Sequence, residues 1–385
     1  GMFLTLGRVF PGGATEADLL GLYRPRPGLP FTPFTVWPGE RHLVWTTFTS
    51  RQADLDVRHP EARRYLFEVL ERLAASGVAL VRLDAVGYAV KTPGTSSFMT
   101  PDTFAFISEL TRRAHGLGLE VLVEVHSHHG RQVEIGRQVD WVYDFALPPL
   151  ILHGLFAGDA GPLTRWLDMR PHNAVTVLDT HDGIGVIDVG ADQLDPRLGG
   201  LLEPEQVHAL VERIHEASGQ TSRRATGDAA SNVDLYQVNC TYFDALGGDD
   251  RLYLLARLLQ FFVPGVPQVY YVGLLAGSND MELLERTGVG RDVNRHSYDA
   301  EELSEALERP VVRALIGLIR LRSSHPAFGG EWERIEASAG WVKMIWRAGE
   351  HSARLAVNLP EASFDLRFTS REGERVVTEV AGLLA

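Results

Sequence analysis

The sequence of 385 residues contains a single cysteine, Cys240. One cysteine excludes an internal disulfide framework and is typical of proteins from a reducing compartment. We expect Cys240 to be a small buried thiol rather than a reactive one. The sequence also has no run of about 20 apolar residues and no secretory signal pattern at its start, so it predicts a cytoplasmic protein without a membrane-spanning helix.

The chain lacks an excess of positive charge, with 37 Lys and Arg against 50 Asp and Glu and a formal net charge of −13. This balance argues against broad binding of nucleic acid and gives no attraction to anionic membranes, although a local basic pocket could still hold an anion. His126, His128 and His129 lie close together, but no cysteine or carboxylate lies at the usual zinc spacing. The sequence therefore predicts no metal site.

Helix and strand patterns alternate from residue 60 onward. Strand patterns cover 78–84, 119–125, 139–145, 174–179 and 265–272, and most of them are separated by helical patterns with proline or glycine boundaries. Such alternation favours βαβ units and a parallel sheet. From about residue 330 the pattern changes to a period of two, which predicts a small antiparallel domain.

Acidic side chains lie at the ends of three predicted strands, at Asp84, Glu124 and Asp182. In parallel barrels the catalytic groups come from the carboxyl ends of several strands, so these three could converge on one pocket. Crowding would push their pKa values apart, as cleavage of a glycosidic bond requires of a nucleophile and a proton donor. Arg82 shares a strand face with Asp84 and could hold it ionised.

Each of these signals has a simpler structural explanation when it is taken alone. An Arg-x-Asp pair is usually a structural ion pair, and a glutamate next to a histidine is most often a hydrogen-bonded packing device. The occurrence of the three carboxylates in order, on successive strand ends, favours the catalytic interpretation.

Longer stretches around these residues resemble the α-amylase superfamily, glycoside hydrolase family thirteen. Residues 81–88 are similar to its nucleophile strand, 119–126 to its acid/base strand and 177–183 to its third-carboxylate motif. Within the superfamily, the chain resembles the sucrose phosphorylases over almost its whole length. The further stretches that carry this resemblance are 23–31, 94–101, 142–149, 179–189, 229–239 and 290–296.

The resemblance implies a role for each of the three carboxylates. Asp84 would be the nucleophile, Glu124 the general acid/base and Asp182 the group that stabilises the transition state. The resemblance also implies that His181 contacts the glucose hydroxyls, and that Arg295 contacts the glucosyl unit or the third carboxylate.

Further substrate-binding residues follow from the same resemblance. Arg82, Tyr88 and His126 are expected near the glucosyl unit. Phosphate needs a guanidinium and hydrogen-bond donors, which the acceptor-site loops can supply. Taken alone, an arginine at position 26 is more simply explained as a solvated loop charge. The acceptor-site residues, where fructose leaves and phosphate enters, are Arg26, Asp234, Tyr236 and Gln237.

The resemblance implies an α/β fold, a partial (β/α)8 TIM barrel of which strands four to eight are visible, with inserted segments and a small C-terminal antiparallel β domain. Five segments follow in chain order. They are a loop-rich partial domain B at 1–58, a barrel part at 59–182, an inserted segment that shapes the acceptor site at 183–247, the last barrel part at 248–328 and the C-terminal β domain at 329–385.

The first three barrel strands of the superfamily, with an Asn-His motif and an aspartate that bind the glucose unit, have no counterpart in the sequence. We therefore expect two open sheet edges, an exposed half of the apolar lumen and low activity of this chain by itself. Association through an open edge is a further expectation, and homodimers are common in the family.

The reaction implied is transfer of glucose from sucrose to phosphate, giving α-D-glucose 1-phosphate and fructose by double displacement through a β-glucosyl intermediate on Asp84. No metal or organic cofactor is implied. Three alternatives stay open from the sequence. One is a related phosphorylase of glucosylglycerate, glucosylglycerol or sucrose 6′-phosphate; the others are an α-glucosidase and a non-catalytic remnant that binds a sugar or a partner.

Overall fold

The computed structural model describes residues 1–24, 28–36, 39–226, 237–379 and 382. The chain divides into two compact units. The first comprises Gly1–Val125 and Glu134–Tyr143, and the second comprises His126–Val133 and Asp144–Ala385.

The first unit combines an antiparallel hairpin with three parallel strands. Strands β1 and β2 pair antiparallel, while β3, β4 and β5 are parallel neighbours in that order. The strands are β1 (Phe31–Val36), β2 (Glu40–Trp45), β3 (Leu80–Leu83), β4 (Glu120–Val123) and β5 (Trp141–Asp144); the helices are α1 (Leu6–Val9), α2 (Glu16–Leu20), α3 (Pro60–Ala75) and α4 (Pro101–His115).

Local sequence explains the boundaries of the two long helices in this unit. Pro60 and Pro101 occupy the first turns of α3 and α4, where a missing N–H costs nothing. The Thr100 hydroxyl accepts a hydrogen bond from the Thr103 N–H and caps α4. Between α3 and β3, Gly77 adopts a φ of +80°, which a residue with a side chain rarely tolerates.

The second unit contains most of the helices and a five-stranded antiparallel sheet. Strands β6 and β9 pair parallel, β7 and β8 pair antiparallel, and β10 to β14 follow one another in the C-terminal sheet. The strands are β6 (Ala174–Thr176), β7 (Ile184–Gly185), β8 (Gln237–Val238), β9 (Val266–Pro267), β10 (Glu331–Ile335), β11 (Trp341–Ala348), β12 (His351–Asn358), β13 (Ser363–Ser370) and β14 (Gly373–Val377).

The helices of the second unit surround its core. Helix α5 has residues in both units. The helices are α5 (His129–Gly136), α6 (Leu147–Ala157), α7 (Gly161–Met169), α8 (Pro204–Ala217), α9 (Thr221–Ala225), α10 (Tyr242–Ala245), α11 (Asp250–Phe262), α12 (Tyr271–Leu274), α13 (Met281–Thr287), α14 (Ala300–Glu308) and α15 (Pro310–Ser324).

Helix α11 is the centre of this core. Every residue from Tyr253 to Phe262 is buried, including the charged Arg257 and the polar Gln260. A helix that is buried on all sides must satisfy its polar side chains internally. Gln260 does so with its Nε2, which donates to the Thr176 and Gln268 carbonyl oxygens at 2.9 Å each.

The α/β class, the parallel strands and the C-terminal antiparallel sheet are confirmed. One expected strand is wrong in its length, because β9 covers only Val266 and Pro267 and the chain then enters α12 at Tyr271. Strand β1 was not predicted from the sequence; it contains Pro33, which is exposed, and proline in sheets is found mainly at edges. The partial barrel and the five segment boundaries stay predictions.

The lone cysteine is buried as expected, with 1% of Cys240 exposed. Burial raises the pKa of its thiol to about 12, so the thiol is protonated and unreactive at neutral pH. In the part of the chain that the structure describes, no helix has both the length and the apolar composition needed to cross a bilayer.

A buried ion pair in the second unit gives a test of its stability. Arg170 Nε donates to Asp144 at 2.6 Å, and Asp144 also accepts from the Trp166 indole at 2.9 Å. We expect Asp144→Ala to lower the free energy of unfolding by about 3–5 kcal/mol, because it leaves the Arg170 charge buried without a partner. Urea denaturation of the full chain measures the change.

Two controls accompany this experiment. The double variant Asp144→Ala with Arg170→Met should lose less stability than the single variant, since no unpaired charge remains. Glu333→Ala breaks an exposed pair with Arg347 and should cost less than about 1 kcal/mol. An Asp144→Ala protein as stable as the wild type would show that the pair contributes nothing.

Candidate active site

Two of the predicted catalytic carboxylates, Asp84 and Glu124, directly follow β3 and β4 in the first unit. The Ala85 N–H, next in the chain to Asp84, donates to Glu124 Oε2 at 2.7 Å. The Glu124 N–H donates to the Leu83 carbonyl at 3.1 Å, as the parallel register requires. The ends of β3 and β4 therefore lie side by side, and the catalytic roles of Asp84 and Glu124 stay predictions.

The environments of the two carboxylates differ. Only 7% of Glu124 is exposed, whereas the Asp84 side chain is 70% exposed. Arg82 Nη1 contacts Asp84 Oδ1 at 2.7 Å, so a cation accompanies the carboxylate expected to be the nucleophile. Ala85 has a φ of +46°, and strained backbone of this kind is common beside functional groups.

Tyr88 lies four residues beyond Asp84 in a cluster of aromatic rings. Its ring centroid is 4.5 Å from that of Phe98 and 5.4 Å from that of Phe48. The Lys91 ammonium donates to the Tyr88 carbonyl at 2.5 Å and pairs with Asp54 at 3.0 Å. Burial lowers the pKa of Lys91, while Asp54 opposes this effect. These contacts connect the loop after Asp84 to the segment that precedes residue 58.

The third carboxylate, Asp182, lies in the second unit among cations. Arg291 Nη1 contacts Asp182 Oδ1 at 2.7 Å, Arg295 Nη2 contacts the same oxygen at 3.5 Å, and His181 Nε2 lies 3.7 Å from Oδ2. Burial would raise the pKa of Asp182, but Arg291, His181, His126 and Arg295 outweigh it and lower the pKa. Asp182 therefore stays ionised.

The arginine closest to Asp182 was missed by the sequence analysis, which chose Arg295. Arg291 belongs to the same 290–296 stretch and precedes Arg295 by about one helical turn. In that segment, Asn294 Nδ2 donates to the Thr180 carbonyl at 2.6 Å and to the Asp182 carbonyl at 3.1 Å. The motif contained both residues, but nothing in its spacing indicated which arginine faces the carboxylate.

A buried ion pair holds Asp179, which lies in the loop after β6 and three residues before Asp182. Arg257 Nη2 donates to Asp179 Oδ2 at 2.5 Å and to the Tyr253 hydroxyl at 2.6 Å. Burial opposes the charge on Arg257, but Asp179 and Tyr253 outweigh it and raise the pKa of the guanidinium. Gly273 leaves room for this pair, since a Cβ there would lie 1.8 Å from Asp179 Oδ2.

His126 is held by a buried aspartate. Its Nδ1 donates to Asp188 Oδ2 at 2.9 Å, and its ring stacks on Phe145 with the centroids 3.8 Å apart. Asp188 has no exposed surface. Because the hydrogen bond fixes the tautomer, it also fixes the orientation of Nε2. A Cβ at Gly185 would collide with both partners, at 2.4 Å from Asp188 Oδ2 and 2.9 Å from His126 Nδ1.

Gln237, expected at the acceptor site, lies in β8 opposite Gly185. Only 4% of Gln237 is exposed, and its Oε1 has no hydrogen-bond partner among the residues that the structure describes. A buried carbonyl oxygen of this kind is available to a hydroxyl donor. The other three residues expected at the acceptor site, Arg26, Asp234 and Tyr236, lie outside the described residues.

Within the described ranges, no group of three or more His, Cys, Asp or Glu side chains is placed to hold a metal ion. Of the clustered histidines, His129 starts α5 and His128 Nε2 donates to the Gly199 carbonyl at 3.0 Å. Burial, and then the neighbouring His128, lower the pKa of His129 to about 4, so it is neutral at physiological pH.

Comparison with known proteins places this arrangement in a family. No protein-family model matches the chain. A sucrose phosphorylase from Agrobacterium vitis is 55% identical over 360 residues, which cover 94% of this chain and 73% of the relative. Another from Bifidobacterium adolescentis is 54% identical and covers 92% of this chain and 70% of the relative. The chain belongs to the sucrose phosphorylase family.

Other relatives of the sucrose phosphorylase family show the same likeness at lower identity. A glucosylglycerol phosphorylase from Marinobacter adhaerens is 39% identical, over 94% of this chain and 74% of the relative. The crystal structure of sucrose 6F-phosphate phosphorylase from Thermoanaerobacter thermosaccharolyticum superposes with a TM-score of 0.88 at 35% identity, over 98% of this chain and 76% of that one. An α-amylase from H. orenii, at 14% identity, 86% and 63% coverage and a TM-score of 0.55, shows likeness in fold alone.

The arginines around Asp182 give a prediction that does not depend on turnover. Arg291→Met should raise the pKa of Asp182, because it removes the nearest cation and leaves burial less opposed. The carboxylate then protonates at a higher pH than in the wild type. Arg295→Met should shift it in the same direction but by less, since its guanidinium is 3.5 Å away rather than 2.7 Å.

Carboxyl ¹³C NMR titration of the full chain, labelled at aspartate, measures both shifts. Arg213→Met, at an exposed position of α8, is the matched control and should leave the Asp182 titration unchanged. A larger effect of Arg295→Met than of Arg291→Met would reverse the assignment of the closest cation.

Proposed function

We propose that this chain transfers a glucosyl group from sucrose to phosphate with retention, giving α-D-glucose 1-phosphate and fructose. The observation that carries the proposal is the hydrogen bond from the backbone next to Asp84 to the carboxylate of Glu124, at the ends of neighbouring parallel strands. This arrangement supplies two carboxylates at one edge, the pair that retaining glycosyl transfer uses. The family supplies the substrates, since relatives at 55% and 54% identity are sucrose phosphorylases.

In the first step, the Glu124 carboxylic acid protonates the glycosidic oxygen while an Asp84 oxygen attacks the anomeric carbon. The bond to fructose breaks, and a β-glucosyl ester forms on Asp84. In the second step, a phosphate oxygen attacks the same carbon from the opposite face and Asp84 leaves. Glu124, now a carboxylate, accepts the proton of the incoming hydrogen phosphate, which restores the carboxylic acid for the next turnover. Two inversions give net retention.

Asp182 would stabilise the positive charge that develops on the sugar in both steps. Its surroundings suit this role, because Arg291 and Arg295 keep it ionised at its Oδ1 and leave its second oxygen facing His181. His126, fixed by Asp188, and His181 would donate to or accept from the glucose hydroxyls. Convergence of Asp84, Glu124 and Asp182 on one pocket stays a prediction from the sequence.

The acceptor site is proposed from the family resemblance. Arg26 would hold phosphate by a bidentate contact, and Tyr236 would donate a hydrogen bond to it. Gln237 is supported by its buried, unpaired Oε1, and Asp234 would contact the fructose hydroxyls. A homodimer and a cytoplasmic location also remain predictions from the sequence.

Phosphorolysis of another glucoside is the second candidate function. Its support is the glucosylglycerol phosphorylase relative, at 39% identity against 55% for the sucrose phosphorylase. Purified chain assayed on sucrose, sucrose 6′-phosphate, glucosylglycerol and glucosylglycerate separates these donors. Hydrolysis that does not need phosphate would instead favour the α-glucosidase, and a chain that binds but does not react would favour the non-catalytic alternative.

Release of glucose 1-phosphate from sucrose and phosphate is the primary test. We expect release that requires both substrates and that falls by about 10⁴-fold or more in Asp84→Asn, because the nucleophile is lost. A coupled assay for glucose 1-phosphate measures the rate. Side-by-side assay with the Bifidobacterium adolescentis relative also tests the low activity expected from the sequence, which equal specific activity would contradict.

Glu124→Gln tests the acid/base role separately. We expect a loss of about 10²–10⁴-fold with sucrose, because fructose must leave without a proton. With α-glucosyl fluoride the loss should be much smaller, since fluoride needs no protonation to depart. Glu120→Gln, an exposed glutamate on the same strand, is the matched control and should retain wild-type rates on both donors. An equal loss on both donors would mean that Glu124 is not the proton donor.

A further inference from the structure

The segment 290–296, which carries Arg291 and Arg295, is anchored by contacts of Asp280 with His296 and with the backbone of Val293. His296 Nδ1 donates to Asp280 Oδ2 at 2.6 Å, and the Asp280 N–H donates to the Val293 carbonyl at 2.8 Å. Asp280 therefore holds the segment through its backbone and its side chain together. Its other oxygen, Oδ1, accepts from the Leu283 N–H at 2.8 Å and caps α13, so the anchor is itself fixed to a helix.

His296 is also held from other directions. The Tyr271 hydroxyl of α12 donates to the His296 carbonyl at 2.7 Å, and the Tyr298 ring packs edge-on with its centroid 4.6 Å away. His296 Nε2 lies 3.4 Å from Glu302 Oε1 of α14. Asp280, Tyr298 and Glu302 thus hold the ring and Tyr271 holds the backbone, so the residues just before His296 cannot move without changing these contacts.

The two arginine side chains of the segment meet the candidate catalytic loop. Arg291 and Arg295 contact Asp182, and Arg295 Nε donates to the His181 carbonyl at 2.9 Å. Arg295 directly precedes His296, and Arg291 lies in the short 3-10 helix Gly290–Asn294, so a shift at His296 reaches both arginines over a few residues. Misplacing a group by 1 Å in such a site can lower a rate by about 100-fold.

We propose that His296 is a positioning residue for the glucosyl transfer: its hydrogen bond to Asp280 holds Arg291 and Arg295 against Asp182. The proposal rests on the proposed function of this site. His296 itself does not touch the carboxylate, and it acts through the two arginines.

The charge of His296 makes this role dependent on pH. The hydrogen bond to Asp280 is the largest cause that raises the pKa of His296; burial opposes it, and Glu302 adds to it. The protonated ring therefore persists to a higher pH than for an ordinary histidine, and the ion pair weakens as the pH rises through that pKa.

The pair of Asp280 and His296 lines a surface cavity of about 660 Å³, so protons reach it. The other titratable or charged groups that line this cavity or pack on the ring are Glu282 and Arg286 of α13, Glu302 of α14, Tyr271, Tyr298 and Arg309.

Two substitutions at one position separate positioning from a structural role. His296→Ala removes the hydrogen bond, and we expect kcat/KM for glucose 1-phosphate release to fall by about 10- to 100-fold. In His296→Asn, the amide nitrogen can donate from nearly the place of Nδ1, so most of the activity should return. Asn does not titrate, so its pH profile of kcat/KM should lack one alkaline inflection that the wild type shows.

The matched control is His115→Asn. His115 is an exposed histidine of the first unit that pairs with Asp140 at 2.8 Å, so the same change is made in a similar pair away from the 290–296 segment. Its kcat/KM and pH profile should equal those of the wild type. An active wild type whose kcat/KM is unchanged in His296→Ala, or whose alkaline inflection survives in His296→Asn, overturns the proposal. If His296→Ala does not fold, the profile of His296→Asn decides.

Amide hydrogen exchange of residues 290–296 gives a readout that needs no turnover. His296→Ala should speed exchange in this segment, and His296→Asn should restore protection below the pKa of the wild-type histidine. A wild type that releases no glucose 1-phosphate means failure of the proposed function, and exchange then decides the anchoring by itself. Exchange that is the same in all variants overturns the anchoring.

Discussion

The buried pair of Asp179 and Arg257 fixes the end of β6 and the loop that follows it. Neither side chain has more than 2% exposed surface, so each charge depends on the other. Arg257 comes from the central helix of the second unit, and Tyr253 on the same helix donates to the Gly273 carbonyl. One polar cluster therefore holds Asp179, the central helix α11 and the turn at α12 together. Asp182 follows Asp179 by three residues.

Charge is arranged differently around the candidate catalytic carboxylates. Asp182 is largely buried and contacts two arginines, which help to keep it ionised. Asp84 is exposed and paired with one arginine. Glu124 is buried, with a backbone N–H donated to it. Buried second partners, such as Asp188 for His126, orient the groups expected to contact sugar hydroxyls.

Two glycines, Gly185 and Gly273, are needed for the close packing of buried carboxylates in the second unit. At Gly185 and Gly273, a side chain would occupy the space of Asp188 or Asp179, so the close approach of these carboxylates depends on the absence of a Cβ. Both glycines lie in short elements next to the candidate site. Because a buried carboxylate without its partners would be unfavourable, each of these clusters depends on the backbone that makes room for it.

Much of the site could be predicted from the sequence, because strand ends are signalled locally by apolar runs followed by acidic residues. Asp84, Glu124 and Asp182, the caps of the long helices and the C-terminal sheet all followed from such patterns and from family resemblance. The sequence could not show that β9 stops after two residues, or that Arg291 lies closer to Asp182 than Arg295 does. It also gave no sign of the pairs Asp179–Arg257, His126–Asp188 and Asp280–His296. These depend on contacts between residues far apart in the chain, and only packing of the core in three dimensions decides which side chains meet.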